Sequence, residues 1–302
     1  MNTVKNVLSI HRGGEAHWVG DGFPVHTVFH YQELGSELTP FLLLDHAGPA
    51  DFAPTDQERG VGWHPHRGFE TVSIAYEGAV DHEDSAGNKG SIGPGDVQWM
   101  TAGAGVLHKE MHGREFAKAG GRFHMLQLWV NLPAKLKMTP PRYQTLLASG
   151  IPSVELPENA GRLRVIAGEF GGARGPARTF TPINLFDLRL NAKGTVKLDL
   201  TAGHTASLFV MQGSIVVNGH EAAHAGELVV FHREGAEATI EAGVHPTEDA
   251  TEDAIVFVMN GKPIDEPIAG YGPFVMNTTR EIQQAFVDMR EGTLGKVPAV
   301  TA

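Results

Sequence analysis

Short apolar or alternating runs, each cut off by Gly, Pro, Asp or Asn, recur along nearly the whole 302-residue chain. No other feature constrains the fold as strongly. FLLLD (41–45), FETVSIAY (69–76), GDVQWM (95–100) and HMLQLWVNL (124–132) read as strands in the first half. LRVIAG (163–168), INLFDLRL (183–190), TVKLDL (195–200), SLFVMQGSIVV (207–217), ELVVFH (227–232) and AIVFVMN (254–260) continue the pattern. DSAGNKGSIGPGD (84–96) is dense in turn-forming residues and predicts tight connections. Evenly spaced short strands close into sandwiches or barrels, so the expected class is all-β.

The length suits two domains of about 150 residues each. The stretch 132–159 holds five prolines and little alternation, and reads as the connector. The halves look related: YEG (76–78) lines up with MQG (211–213), and GDVQWM (95–100) with GELVVF (226–231). In that alignment Asp199, Thr201 and Thr239 match His64, His66 and His108, while Glu241 matches Glu110. One helix is well marked near the end, over 278–291. Thr278 and Glu281 form a capping box, Ile282, Phe286 and Met289 share a face, and Gly292 stops it.

The formal charge of −11 repels phosphate backbones, so direct nucleic-acid binding is not expected. The absence of cysteine excludes disulfides, thiolate catalysis and iron–sulfur clusters. MNTVKNVLSIHRGG (1–14) has no long apolar stretch, so no signal peptide is expected, and runs such as FLLL (41–44) are too short to span a bilayer. A cytoplasmic protein is expected, with no membrane partner.

Two pairs of residues carry the chemistry. In a strand, residues i and i+2 point to the same face, so His64 and His66 present two imidazoles together, and His108 with Glu110 adds a third and a carboxylate. Such a set suits a divalent first-row metal with coordination positions left open. By spacing alone Glu70, four residues after His66, could serve as readily as Glu110. Arg67 and Gln98 flank these stretches and could hydrogen-bond to ligands.

HxHxxxE (64–70) followed by Gly, then a Gly-led strand ending in His, resembles the cupin metal motifs. FLLLDHAGP, GWHPHRGFETV, GDVQWMTAGAGVLHKEM, QLWVNLP and YGPFVMNTTREIQQAF together resemble the pirin family over nearly the whole chain. The resemblance implies two cupin (double-stranded β-helix, or jelly-roll) barrels in tandem with a C-terminal helix. It implies a metal-binding N-terminal barrel over 1–140 and a barrel without ligands over 141–302. It also implies a metal, usually iron, held by His64, His66, His108 and Glu110, which favours Glu110 over Glu70. Fe(II) is the expected cofactor; Mn, Ni, Cu and Zn would fit the same donors.

Some bacterial pirins cleave the flavonol quercetin with dioxygen, and a human member is a nuclear co-regulator of transcription factors. The expected function is therefore a quercetin 2,3-dioxygenase-like oxidoreductase acting on a flavonol-like substrate, with Glu110 as the base. The alternative is a metal-binding regulatory pirin that works through a protein partner without turnover. Phe52, Phe69, Met100 and Met125 are candidate apolar pocket walls, and Asp45 ends a strand where it could face the mouth. A monomer is expected.

Overall fold

The computed structural model describes residues 4–243 and 252–297. The chain divides into two compact units. The first comprises Gly14–Gly35, Phe41–Ala148 and the chain from Ile264 onward; the second comprises the chain up to Gly13, Ser36–Pro40 and Ser149–Pro263. This differs from a division at 140/141. Arg142–Leu146, inside the expected connector, is a strand of the first unit, paired with Val97–Thr101. The first strand, Val7–Arg12, pairs with Glu227–Phe231 of the second unit. The C-terminal helix belongs to the first.

Each unit is built from a seven-stranded and a four-stranded antiparallel sheet. In the first unit the larger sheet runs Arg142–Leu146, Val97–Thr101, Phe69–Glu77, Gly121–Asn131, Phe41–Phe52, Phe23–His30, Ala16–Val19. The smaller runs Gly60–His66, Val106–His112, Val80–Asp84, Lys89–Ile92. In the second unit the larger sheet runs from Val7–Arg12 to Ser153–Glu155, and the smaller joins Thr195–Asp199, Glu237–Ala242, Ser214–Val217 and Glu221–His224. Among the described residues no helix is long and apolar enough to cross a membrane.

The internal repeat is present in the sheets, but its residue matching needs correction. Thr239 and Glu241 alternate with Ala238, Ile240 and Ala242, and only the latter three are buried in the core. On the paired strand, Val196 and Leu198 are buried and Asp199 is exposed, as is Thr201. All the residues matched to the ligands thus lie on the outer side, because a one-residue slip in a strand flips every side chain to the other face. Among the described residues, the core between the second unit's sheets is filled with Leu, Val, Ile, Ala and Phe.

The C-terminal helix, Thr279–Arg290, forms where the capping box predicts. Thr278 Oγ1 accepts from Glu281 N at 3.2 Å, and Glu281 Oε2 accepts from Asn277 N at 3.1 Å. Its apolar face packs Ile282, Ala285, Phe286 and Met289 against Phe274, Met276 and Leu294.

Candidate metal centre

Three strands of the smaller sheet and the inner face of the larger one build the site in the first unit. Strand Val106–His112 lies between Gly60–His66 and Val80–Asp84, so His108 stands opposite His64 on one side while Glu110 stands opposite His82 on the other. Its side chains alternate strictly, with His108, Glu110 and His112 buried and Leu107, Lys109 and Met111 half-exposed. This alternation is the period of two that the HxE spacing predicts.

The rings of His64, His66 and His108 converge, with centroids 4.2 Å apart for His64–His108 and 4.9 Å for the other two pairs. Their nitrogens lie within 4.8 Å of one another. His64 Nδ1 sits 2.8 Å from the Gly62 carbonyl, and His66 Nδ1 sits 3.3 Å from that of Pro273. A carbonyl only accepts, so each Nδ1 carries the hydrogen, which leaves Nε2 as the nitrogen facing the other rings' donors. His108 is 0% exposed, and neither of its ring nitrogens has a protein partner. Burial, followed by the neighbouring imidazoles, holds His66 and His108 well below the usual histidine pKa and therefore neutral.

Glu110 is held from the larger sheet. Its Oε1 accepts from Ser73 Oγ at 3.1 Å and from Gln98 Nε2, and its Oε2 accepts from Gln127 Nε2 at 2.8 Å. Tyr143 in turn donates to Gln98 Oε1 at 3.0 Å. These donors belong to one row across the sheet, because Thr27 pairs with Asp45, Asp45 with Gln127, Gln127 with Ser73, and Ser73 with Gln98. Directly opposed residues share a face. Gln98 and Asp45 therefore share one face of the sheet with Ser73 and Gln127. Asp45 accepts from Thr27 Oγ1 at 2.6 Å, and burial raises its carboxyl pKa.

Glu70 stands elsewhere. Between His66 and Phe69 the chain passes from the smaller sheet to the larger through Gly68, whose φ of +89° a side chain would strain. Counting parity across that turn fails. Glu70 points to the opposite face from Ser73, accepts from Thr101 Oγ1 at 2.7 Å, and is pushed up to about 7 by burial. Phe52 is also away from the histidines, packed edge-on against His112 at 4.6 Å beside Phe23 and Phe123, in the apolar cluster that includes Met125. Met100 packs with Ala102 and Val106. Arg67 reaches no ligand: it donates to the Ala104 carbonyl at 2.7 Å and pairs with Asp288 at 2.7 Å, tying the C-terminal helix to the turn beside His66.

The apolar wall beside the histidines is Phe69 and Trp129. Their ring centroids are 4.3 Å apart, and each lies just over 5 Å from His66, at 5.1 and 5.3 Å. Thr71 pairs with Trp129 across the strands. Thr71 Oγ1 and Trp129 Nε1 are both buried without a protein partner. Sequence reasoning missed Trp129, Thr71, Ser73, Gln127 and His82. They reach the site through the pairing of strands distant in sequence, and no local motif marks them.

An all-β pair of seven-plus-four-stranded units, one lined by converging imidazoles and a carboxylate, defines a two-cupin protein. The pirin family model matches residues 22–130, and the model for the pirin C-terminal cupin domain matches residues 185–295. The chain belongs to the pirin family. It is 51% identical over 289 residues to a Pseudomonas aeruginosa protein provisionally named a quercetin 2,3-dioxygenase, covering 96% of this chain and 98% of that one. The crystal structure of quercetin 2,3-dioxygenase from Acinetobacter baumannii superposes with a TM-score of 0.92 at 49% identity, over 97% of this chain and 99% of that one. A bacterial pirin from Escherichia coli, solved in complex with nickel(II), shares the fold at 19% identity and a TM-score of 0.60, over 83% of this chain and 98% of that one.

The residues present fit a divalent cation. The imidazoles of His66 and His108 are held neutral, the His108 nitrogens are buried and unpartnered, and a carboxylate held by three donors lies beside His108.

Proposed function

We propose that the protein is a metal-dependent dioxygenase of the pirin type, cleaving a flavonol such as quercetin with dioxygen where His64, His66 and His108 converge and Glu110 lies beside His108. The observation that carries the reading is His108, fully buried between two further imidazoles with neither ring nitrogen satisfied by the protein. The names of these relatives support the substrate class.

His64, His66, His108 and Glu110 would hold a divalent metal, Fe(II) first and Mn, Ni, Cu or Zn as alternatives, which would supply Lewis acidity towards the flavonol 3-hydroxyl. The chain's own residues do the rest. The Gly62 and Pro273 carbonyls fix the tautomers of His64 and His66, so both offer Nε2. Glu110 Oε1 already accepts two bonds, whereas Oε2 accepts one and keeps a lone pair that would hold the metal and, once that bond loosens, take the hydroxyl proton. Phe69 and Trp129 form a wall against which a flat aromatic ring packs. Thr71 Oγ1 and Trp129 Nε1 are donors for the substrate's oxygens.

The test is oxygen uptake by the iron(II)-loaded protein, with and without quercetin. Uptake that requires both metal and flavonol supports the proposal. No uptake with iron confirmed in place overturns it, in favour of a metal-binding pirin that acts through a protein partner.

A further inference from the structure

His82 is the buried group at this centre to which the four-ligand reading gives no task. It stands on Val80–Asp84, directly across from Glu110, and its side chain is 0% exposed. Its Nε2 lies 3.3 Å from Asp84 Oδ2. Asp84 also accepts from Ala86 N at 3.0 Å, from Asn88 N at 2.9 Å, and from Asn88 Nδ2 at 3.1 and 2.9 Å. A carboxylate held by that many donors acts as an acceptor, so the hydrogen is on His82 Nε2 and the lone pair on Nδ1. Nδ1 is buried and has no partner. The ring cannot easily turn to find one, because Tyr143 stacks on it at 4.6 Å and 18°.

What lies within reach is the metal centre. Ligand atoms of His82, His108 and Glu110 all fall within 4.8 Å of one another, as those of His64, His66 and His108 do. Glu110 groups with His82, not with His64 and His66. Two three-residue sets therefore overlap at His108, neither of whose ring nitrogens has a protein partner. Carboxylate, imidazole and cation in a line is a recurrent arrangement in metal sites, the carboxylate fixing the tautomer and aiming the ring. Asp84 and His82 supply the first two members.

We propose that His82 is a further ligand of this centre, entering the coordination of the bound divalent cation through Nδ1 with Asp84 as its orienting carboxylate. This rests on the metal centre proposed above and not on turnover. A cation at the centre is then bracketed by strands on both sides of Val106–His112, and losing one side weakens binding without abolishing it.

Cobalt(II) titration, followed by its visible spectrum, tests this on the full chain. His82→Ala is expected to weaken binding about ten-fold or more and to change the shape and intensity of the visible bands. Added imidazole, filling the space left by the ring, should restore the bands towards those of the wild type. In the His64→Ala/His66→Ala background, weak binding should remain, and His82→Ala should remove it. His82→Phe keeps the stack on Tyr143 without a nitrogen, and serves if the alanine variant does not fold. Unchanged affinity and bands in a folded His82 variant would overturn the assignment. A wild-type protein that binds no cobalt(II) would overturn the metal centre itself, a separate outcome.

Discussion

Glu70 and Glu110 are buried carboxyls in the same unit, and their neighbours separate their roles. Glu110 is met by three donors. Glu70 lies on the other face with a hydroxyl donor from Thr101, and burial lifts it to about 7 from 4.5. A raised folded pKa means the folded state binds the proton more tightly than the unfolded one. The resulting stabilisation is full below about 4.5 and is lost as pH rises through about 7, a swing of up to about 3 kcal/mol. Glu70→Gln mimics the neutral form at every pH. It should flatten the fall in stability between pH 4.5 and 8, read as denaturation midpoints across that range, and should leave metal content unchanged. Loss of the metal would mean that Glu70 is the ligand. Gln98→Leu removes a donor from Glu110 Oε1 and should weaken metal binding by about ten-fold in a calorimetric titration, with the fold retained. At this scale the sequence was legible where spacing lies inside one strand: His64 with His66, and His108 with Glu110. It misled where the spacing crossed Gly68, and it was silent on His82, which a cross-strand pairing brings to Glu110.

Among the elements, the turn at Gly68 decides where His66 and Phe69 point. A Cβ there would run into the Val275 carbonyl, and the φ of +89° already disfavours any other residue. Lys137, buried, fastens the same turn by donating to the Gly68 carbonyl at 2.8 Å, the Val275 carbonyl at 2.9 Å and Asn131 Oδ1 at 2.7 Å. Gly68→Ala should therefore lower stability by about 1–3 kcal/mol from backbone strain alone. It should also weaken metal binding, because His66 is two residues away. A thermal melt paired with a metal titration checks both, and a variant with wild-type affinity would show that the turn does not position the ligand. Strands such as 124–132 were legible because apolar runs bounded by turns are long there, whereas their register was not. The helices Tyr31–Leu38 and Arg114–Ala119 escaped notice: eight residues with a kink at Leu34, and six residues, show too little of the helical period to stand out.

At the scale of the whole molecule, the chain's two ends are exchanged between its units. Val7–Arg12 extends the larger sheet of the second unit, and Lys5 there donates to the carbonyls of His204, His232 and Arg233 at 2.8–3.1 Å. The C-terminal segment serves the first unit. It gives His66 the Pro273 carbonyl, Arg67 the Asp288 carboxylate, and the core beside Leu42 and Phe69 the side chain of Val275. A fragment of residues 1–140 contains His64, His66, His82, His108 and Glu110, yet lacks all of that. It also lacks Arg142–Leu146, which leaves Val97–Thr101 as a bare edge, and Tyr143, which holds Gln98 and stacks on His82. Deleting only residues 1–13, which fall in the second unit, strips an edge strand and a buried lysine from that unit. The expected outcomes are opposite. The 1–140 fragment should be aggregation-prone and fail to hold a divalent metal, while the chain starting at Gly14 should bind metal with near-wild-type affinity and lose stability in its second unit. Metal titration and scanning calorimetry on both would decide it. A 1–140 fragment that binds as tightly as the full chain would mean that the ligand strands fold without the C-terminal segment, and that the exchange of ends is incidental to the site.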